Sequence, residues 1–337
     1  MTKEILALWV SKKDFPYHYF GRFFYRKNAP KNIQDYMTLR QYNRVNATIV
    51  YKNKQTAEVF SILDDKLELY KFCKENKLPT PEIFSNNINN TFYFNKGTYK
   101  IKSSSDLKSF YQMVMQSKNV EKLFIKPTRG SGGDGAFILT KIKLNRNLSE
   151  IFRILTQESF IHQEVVSQHD LISAIYDKSI NTMRLETFLD RSKTVHLLGS
   201  FMRFGSGNQE VDNASQGGFK IMVDLEKGVL FEHGITKLIY GGKKISKHPD
   251  SGIVFKDFQI PFFKETIDLA MNLGKMLPCY VHGWDIAFTN FGPIIIEGNY
   301  SPGILGSEAS YFGYKNKTVF KEIMEDTDAY FNSKKQL

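Results

Sequence analysis

The 337-residue chain has only two cysteines, Cys73 and Cys279, too few and too far apart for a disulfide framework or a cysteine-based metal knuckle. Both read as small buried hydrophobes. No apolar run reaches the length of a membrane span, no internal repeat is visible, and no Gly/Ser linker divides the chain. The opening MTKEILALWVSKKDF has a very short apolar stretch and no small-residue cleavage signature, so a cytosolic protein is expected. Attachment to the inner membrane face stays open. Acidic residues are scarce at the front: up to Lys54, eleven Lys and Arg face only Glu4, Asp14 and Asp35, which accounts for most of the net charge of +11. The histidines His162, His196, His233, His248 and His282 are spaced unlike a metal cluster, and no Ser, Cys or His stands out as a nucleophile.

What is present is a globular composition, 42% hydrophobic and 14% aromatic. In the basic front portion, Lys12, Lys13, Arg22, Arg26, Lys27 and Lys31 alternate with Phe15, Tyr17, Tyr19, Phe20, Phe23, Phe24 and Tyr25. Aromatics packed on the body with cations in water is the favoured reading. Docking on an anionic membrane or gripping a nucleotide remains open, and no motif supports nucleic acid. Further on, DDKLELYKFCKENK predicts a helix with Asp65 and Glu68 as a capping box and Leu67, Tyr70 and Cys73 on one face. SSDLKSFYQMVMQ predicts a second helix, opened by Ser105. Helices are also expected around 149–156 and 262–277. TFYF, KLFIKP, AFILT, SFIHQEVV, NTMRLETFL, TVHLLGSFMRF, GGFKIMVD and VLFEHGI read as strands. The expected fold class is α+β with mainly antiparallel sheets, without the regular alternation of a doubly wound fold.

Near the C-terminus, HGWDIAFTNFGPIIIEGNYSPG reads as a hairpin. A turn centred on Phe291 would place Asp285 opposite Glu297, and strand alternation adds Asn299 to the same face. Two carboxylates and an amide oxygen suit Mg²⁺ better than zinc. Upstream, the loop TRGSGGDG offers Arg129, Gly130, Ser131, Gly132 and Gly133 to phosphate groups, but it is not a Walker loop, because no Lys-Ser or Lys-Thr pair follows. A plain glycine-rich turn is the alternative. Lys126 ends the strand that enters this loop, and Lys66 sits in the first turn of a helix, where the macrodipole disfavours a cation. Arg184 and Arg203 interrupt apolar strands, where long cations need a partner or a cleft.

The ordered set Asp65-Lys66, Ile125-Lys126-Pro127, the glycine loop, Gln163-Glu164-Val165-Val166, Asn181-Thr182-Met183-Arg184, Asp285 and Glu297-Gly298-Asn299 resembles the ATP-grasp superfamily. Asn181 to Arg184, VDNASQGG, HPDSG and GWDIAFTNFGPIIIEGN are similar to its sugar-transfer-associated group, found among bacterial surface-polysaccharide genes. The resemblance spans about residues 60 to 320. It implies an ATP-grasp fold of two α+β subdomains gripping ATP and Mg²⁺, preceded by a mainly helical basic region at 1–60, with subdomains at 61–120, 121–175 (the lid) and 176–337. Lys66, Lys126 and the glycine loop would contact phosphates, Gln163 to Val166 adenine, and Asp170 the ribose. Asp285, Glu297 and Asn299 would hold metal, while Arg184 and Arg203 clamp the γ-phosphate and acyl-phosphate. Asn213, Gly217 and Gly218 mark a candidate substrate loop, and His282 is a candidate for amine deprotonation. The implied activity is an ADP-forming carboxylate–amine ligase, coupling an amino acid or similar amine to a nucleotide-linked uronic sugar in capsule or O-antigen synthesis. Association with the membrane or a glycosyltransferase is also open. Peptide-type ligation without a sugar and a non-catalytic nucleotide-binding assembly protein are the alternatives.

Overall fold

The computed structural model describes residues 2–14, 19, 24, 35–130, 132–207, 218–236, 240–304, 307–308, 313–315 and 317–335. Among them, every strand pairing between named strands is antiparallel, and two sheets organise the molecule. The first has six strands: β1 (Ile83–Ile88), β2 (Thr91–Phe94), β3 (Gly97–Lys100), β4 (Lys122–Pro127), β5 (Phe137–Thr140) and β6 (Ser159–Gln163), in the order β3-β2-β1-β6-β4-β5. Strands on both sides of residue 120 therefore belong to one sheet. Its core face, with Phe92, Leu123, Ile125, Leu139 and Phe160, is covered by α5 (Ser104–Lys118), α6 (Lys141–Arg146) and α7 (Leu148–Leu155). Because side chains alternate along β4, the same strand that buries Leu123 and Ile125 sends Lys122, Phe124 and Lys126 to the other side.

The second sheet contains β7 (Thr182–Leu189), β8 (Val195–Phe204), β9 (Phe219–Asp224), β10 (Val229–Thr236), β11 (Lys244–Ile245), β12 (Val281–Thr289) and β13 (Gly292–Asn299), ordered β11-β10-β9-β8-β7-β12-β13. One face, with Met183, Leu185, Trp284, Ile286 and Phe288, packs on α9 (Phe263–Met276), and α3 (Ala57–Asp64) and α4 (Lys66–Glu75) join the same core through Leu63, Leu69 and Cys73. The opposite face is split. At one end Phe188, Leu198 and Val281 lie under α2 (Leu39–Gln55) and α10 (Thr318–Ser333), with Ile49, Phe320 and Ile323 in the same core. At the other end that face carries Thr182, Arg184, Arg203 and Asp285 and opens to the first sheet. Among the described residues the two remaining named helices are α1 (Thr2–Lys12) and the short α8 (Asp170–Ile175). None of the described helices is long and apolar enough to cross a membrane.

Two helix starts differ from expectation. Asp65 caps α4 by accepting from Leu67 N at 2.9 Å, but Glu68 does not reach back; it pairs with Lys71 at 2.7 Å instead. Of the predicted face of α4, Cys73 is buried while Leu67 and Tyr70 are half-buried, and Leu69 takes the other buried position. α5 starts earlier than predicted: Ser103 is its N-cap and forms a reciprocal box with Asp106, so Ser105 lies inside the helix. Both cysteines are buried, as expected. In the aromatic front portion, Tyr19 and Phe24 are buried with Tyr36, while Phe15, Tyr17, Phe20, Phe23, Tyr25, Arg22, Arg26, Lys27 and Lys31 fall outside the described residues.

Candidate active site

The hairpin β12–β13 pairs Asp285 with Glu297 and Gly283 with Asn299. The route to this register differs from a turn centred on Phe291: Thr289 pairs with Gly292 across a two-residue turn, and a bulge shifts the register between Asp285 and Ile286. That bulge brings the two carboxylates opposite each other. On its other side β12 pairs Asp285 with Arg184 of β7, and β7 in turn pairs Thr182 with Arg203 of β8. Three adjacent strands thus aim one carboxylate and two guanidiniums at the same spot.

Asp285 is 1% exposed and bound on both oxygens: Arg184 donates from Nε to Oδ1 at 2.5 Å and from Nη2 to Oδ2 at 2.8 Å, and Arg203 Nη2 lies 2.8 Å from Oδ2. Burial alone would lift the Asp285 pKa, but Arg184 and Arg203 outweigh it and hold the carboxyl below its ordinary value. Burial opposes the charge on Arg184 as well, and Asp285 overcomes it, so the pKa of Arg184 rises. Arg203 is further steered by Thr182, whose hydroxyl accepts from Nε at 3.0 Å and from Nη2 at 2.7 Å. Asn299 is looser, with Nδ2 3.4 Å from Asp285 Oδ2. Glu297 keeps more freedom; its nearest cation is Lys66, at 3.4 Å.

The first sheet supplies the facing wall. Lys126 is buried and donates to the Ile296 carbonyl at 3.3 Å. Burial lowers its pKa to about 8, against the pull of Glu297 and with help from the like charge of Lys66. Lys66 Nζ donates to the Gly130 carbonyl at 2.8 Å, and the Lys66 amide bonds Thr128 O at 2.8 Å, so the start of α4 is fastened to the glycine loop. Gly130, Gly132 and Gly133 all have left-handed backbone, at φ of 100°, 81° and 76°, which explains glycine in a loop of this shape. Arg129 is exposed and leans on Asp64 and Asp65 at 3.6 and 3.4 Å. Ser131 lies outside the described residues.

These groups surround a cleft of about 510 Å³ between the sheets. Its lining brings together Lys66, Lys126, Arg129, Gly130, Gly132, Gly133, Gln163, Glu164, Val165, Val166, Asp170, Arg203, Asp285 and Glu297. The crossing segment 163–166 leaves β6 beside Glu82, whose amide bonds Glu164 Oε1 at 2.8 Å while its carbonyl accepts from the Glu164 amide at 2.9 Å. One oxygen of the Glu164 carboxylate is therefore held by the chain itself, while residues 163–166 line the cleft. Asp170 is exposed at the start of α8 and bonds Asn290 of the hairpin turn at 3.1 Å. Arg184 and Asn299 stand behind this lining, on the Asp285 side. Gly218 is buried at the entry to β9, whereas Asn213 and Gly217 lie outside the described residues.

His282 is not near the carboxylates. Strand alternation turns it with Trp284 toward the α9 face, where the rings stack at 4.9 Å and burial lowers its pKa to about 3. That removes it as an amine base. Two residues of the site escaped sequence reading. Thr182 was seen only as part of a motif, although its position opposite Arg203 gives it a role. Glu186 is fully buried two positions beyond Arg184, accepting from Ser307 Oγ at 2.5 Å and Tyr314 OH at 3.2 Å. Its period-two spacing from Arg184 was a readable signal that the two share a face. Among the described residues no group of three or more His, Cys, Asp and Glu could hold a metal, so any cation here depends on the amide of Asn299 beside Asp285 and Glu297. Two carboxylates and an amide carbonyl remain a donor set that fits a hard divalent cation.

A cleft between two antiparallel sheets, roofed by a glycine loop and walled by cations opposite paired carboxylates, defines an ATP-grasp protein. The model of the sugar-transfer associated ATP-grasp family matches residues 46–314, and the chain belongs to that family. Comparison with curated proteins finds no match. Among solved structures, it is similar to D-alanine–D-alanine ligase from Bacillus anthracis at 15% identity, covering 81% of this chain and 70% of that one, with a TM-score of 0.44. The ADP complex of N5-carboxyaminoimidazole ribonucleotide synthetase is 11% identical over 79% of this chain and 52% of that one, TM-score 0.45. The ATP-grasp ligase PsnB complexed with minimal precursor, Mg and ADP is 12% identical over 80% and 61%, TM-score 0.42. The chain thus spans between 52% and 70% of the length of these proteins, and at such distances they do not identify its substrate.

Proposed function

We propose that the protein is an ATP- and Mg²⁺-dependent carboxylate–amine ligase that works through an acyl-phosphate. The observation that carries this reading is the convergence of Asp285, Glu297, Lys66, Lys126 and Arg203 on one cleft that also takes in the glycine loop and the 163–166 crossing. Lys66 and Lys126 would hold phosphate oxygens, the 163–166 backbone the adenine, and Asp170 the ribose. Arg184 and Arg203 would meet charge on the transferring phosphoryl group and on the acyl-phosphate. Asp285, Glu297 and Asn299 would hold Mg²⁺, which when bound neutralises and orients the phosphates.

In the first step an oxygen of the substrate carboxylate attacks the γ-phosphorus as its bond to the ADP oxygen breaks. In the second the amine nitrogen attacks the acyl carbon, phosphate leaves, and the ammonium proton passes to solvent. This route requires no nucleophile from the protein. The glycine loop would exclude water from the activated acyl group.

For substrates we infer a nucleotide-linked uronic sugar as the carboxylate and an amino acid or similar amine as its partner. The family description supports the sugar, and Gly218 with Asn213 and Gly217 would form the substrate loop. Capsule or O-antigen synthesis at the cytoplasmic side of the membrane would be the setting. The test is incubation of purified protein with Mg-ATP, pooled amino acids and pooled nucleotide-linked uronic acids, following ADP and product mass. The expected product weighs as much as both substrates less one water. Glu297→Gln should abolish turnover, and a variant that stays fully active would remove Glu297 from the metal site.

A further inference from the structure

We propose that Gly283 and Glu186 are positioning residues for Arg184, holding its guanidinium seated on Asp285 while Arg203 crowds the same carboxylate. Both Arg184 Nη2 and Arg203 Nη2 stand 2.8 Å from Asp285 Oδ2. Two like charges sharing one oxygen repel, and a long arginine side chain has the rotamer freedom to leave. Arg184 Nη1 makes no hydrogen bond to a described residue. The bidentate pair orients this side chain, and packing beside it adds to what holds it there.

The wall beside it is built from two parts. Gly283 sits in β12 between Glu186 of β7 and Asn299 of β13. An added Cβ there would lie 2.8 Å from Pro302 Cβ, 3.2 Å from Arg184 Nη1 and 3.3 Å from Arg184 Cδ. Its backbone does not have positive φ, so space, not conformation, demands glycine. Arg184 thus lies across Gly283, and Pro302 closes over the same glycine. Pro302 is buried and anchored from both directions: Asn53 Nδ2 bonds Tyr300 O at 2.5 Å before it, and after it Ser307 and Tyr314 both donate to Glu186. Glu186 is the knot that returns this segment to the strand bearing Arg184. The consequence for metal and phosphate binding rests on the ligase reading above, because it concerns which lone pairs of Asp285 stay available; the positioning itself does not.

The test is nitrogen-15 NMR of the arginine Nε–H groups in the metal-free, nucleotide-free protein, with Arg184→Lys used to assign the signal. A downfield, slowly exchanging Arg184 resonance is expected in the wild type. Gly283→Ala and Glu186→Ala should shift or broaden it, Ser307→Ala should do so more mildly in a protein that keeps the carboxylate, and Glu186→Gln, which keeps an acceptor for one hydroxyl and offers the other an amide hydrogen to accept, should restore it. Gly298→Ala is the control, since its Cβ would crowd Leu63 and Trp284 on the opposite face at 2.7 and 2.9 Å. It should lower stability and leave the resonance in place. Resonances unmoved in Gly283→Ala, Glu186→Ala and Ser307→Ala, or equally lost in Gly298→Ala, would overturn the proposal. Titration with Mn²⁺ in the presence of ATP, read by electron paramagnetic resonance, should show affinity about ten- to a hundred-fold weaker in Gly283→Ala. A wild-type protein that binds no Mn²⁺–ATP would end the metal reading and leave the NMR result to decide the positioning claim.

Discussion

The two sheets both bury polar groups, and they do so in opposite ways. In the first, His162 is fully buried with Nδ1 2.8 Å from Ser85 Oγ and Nε2 3.1 Å from Asn87 Oδ1 and 3.2 Å from Tyr111 OH. Burial holds its pKa at about 3, so it stays neutral and spent, a saturated core network. In the second, Arg184 and Arg203 share the one carboxylate of Asp285 and leave a net positive charge, and Glu297 and the cations across the cleft keep capacity for something more. Burial of a titratable side chain therefore does not mark function here. What marks it is unspent charge on a surface that two sheets present to each other.

The strongest way to break that contrast is Asp285→Ala. It would leave two guanidiniums facing each other without their carboxylate, and losing one partner of a buried pair costs about 3–5 kcal/mol. Denaturant unfolding should show a lowered midpoint, and ADP formation should vanish. Next in size is Lys126→Met. The Lys126 pKa falls from 10.5 to about 8, so the unfolded chain binds its proton more tightly than the fold does. Its charge destabilises the fold by roughly 3 kcal/mol below pH 8, and that cost fades as pH rises from about 8 toward the unfolded value. The Met variant should be more stable at pH 7, should converge with the wild type near pH 10.5, and should bind ATP poorly. A pH-independent difference would contradict the buried charge.

The buried neutral histidines of both sheets have the reverse signature on the acid side. His162 and His282 both titrate near 3 in the fold and at 6.5 when unfolded, so their stabilisation is complete above pH 6.5 and declines as pH falls. Each contributes a slope of about 1.4 kcal/mol per pH unit below that point, or roughly 2 kcal/mol by pH 5. His162→Asn should flatten the acid limb of a stability–pH curve without changing nucleotide affinity. An unchanged limb would mean that the ring is protonated in the fold.

The sequence carried the strands of the hairpin, the glycine loop and the cation strands because alternation and turn chemistry are local signals. KLFIKP is β4 residue for residue. It did not carry β1 and β3, whose IFSNNI and GTYK lack apolar alternation and are strands because neighbours pair with them. The Asp285–Glu297 pairing was legible, but the bulge that produces it was not, since a bulge depends on the partner strand. His282 was misplaced by proximity in sequence, although the alternation that puts Asp285 on one face puts His282 on the other. The contact of Arg203 with Asp285 bridges strands 82 residues apart and follows from the β7–β8 and β7–β12 registers, which no single-strand pattern specifies.

The smallest expected effect separates the glycine loop from both cores. Arg129 is 71% exposed, and its pairs with Asp64 and Asp65 at 3.6 and 3.4 Å are solvent-screened. Such pairs contribute about 0–1 kcal/mol, so Arg129→Ala should leave unfolding almost unchanged. A phosphate-binding role would instead appear in the nucleotide: weaker ATP binding with a shallower salt dependence, measured by calorimetry at two ionic strengths. Stability and affinity would then part company at Arg129, whereas at Asp285 they fall together. That difference follows from where each charge is held: a buried ion pair is part of the fold, while an exposed arginine beside a glycine loop can be lost without unfolding anything.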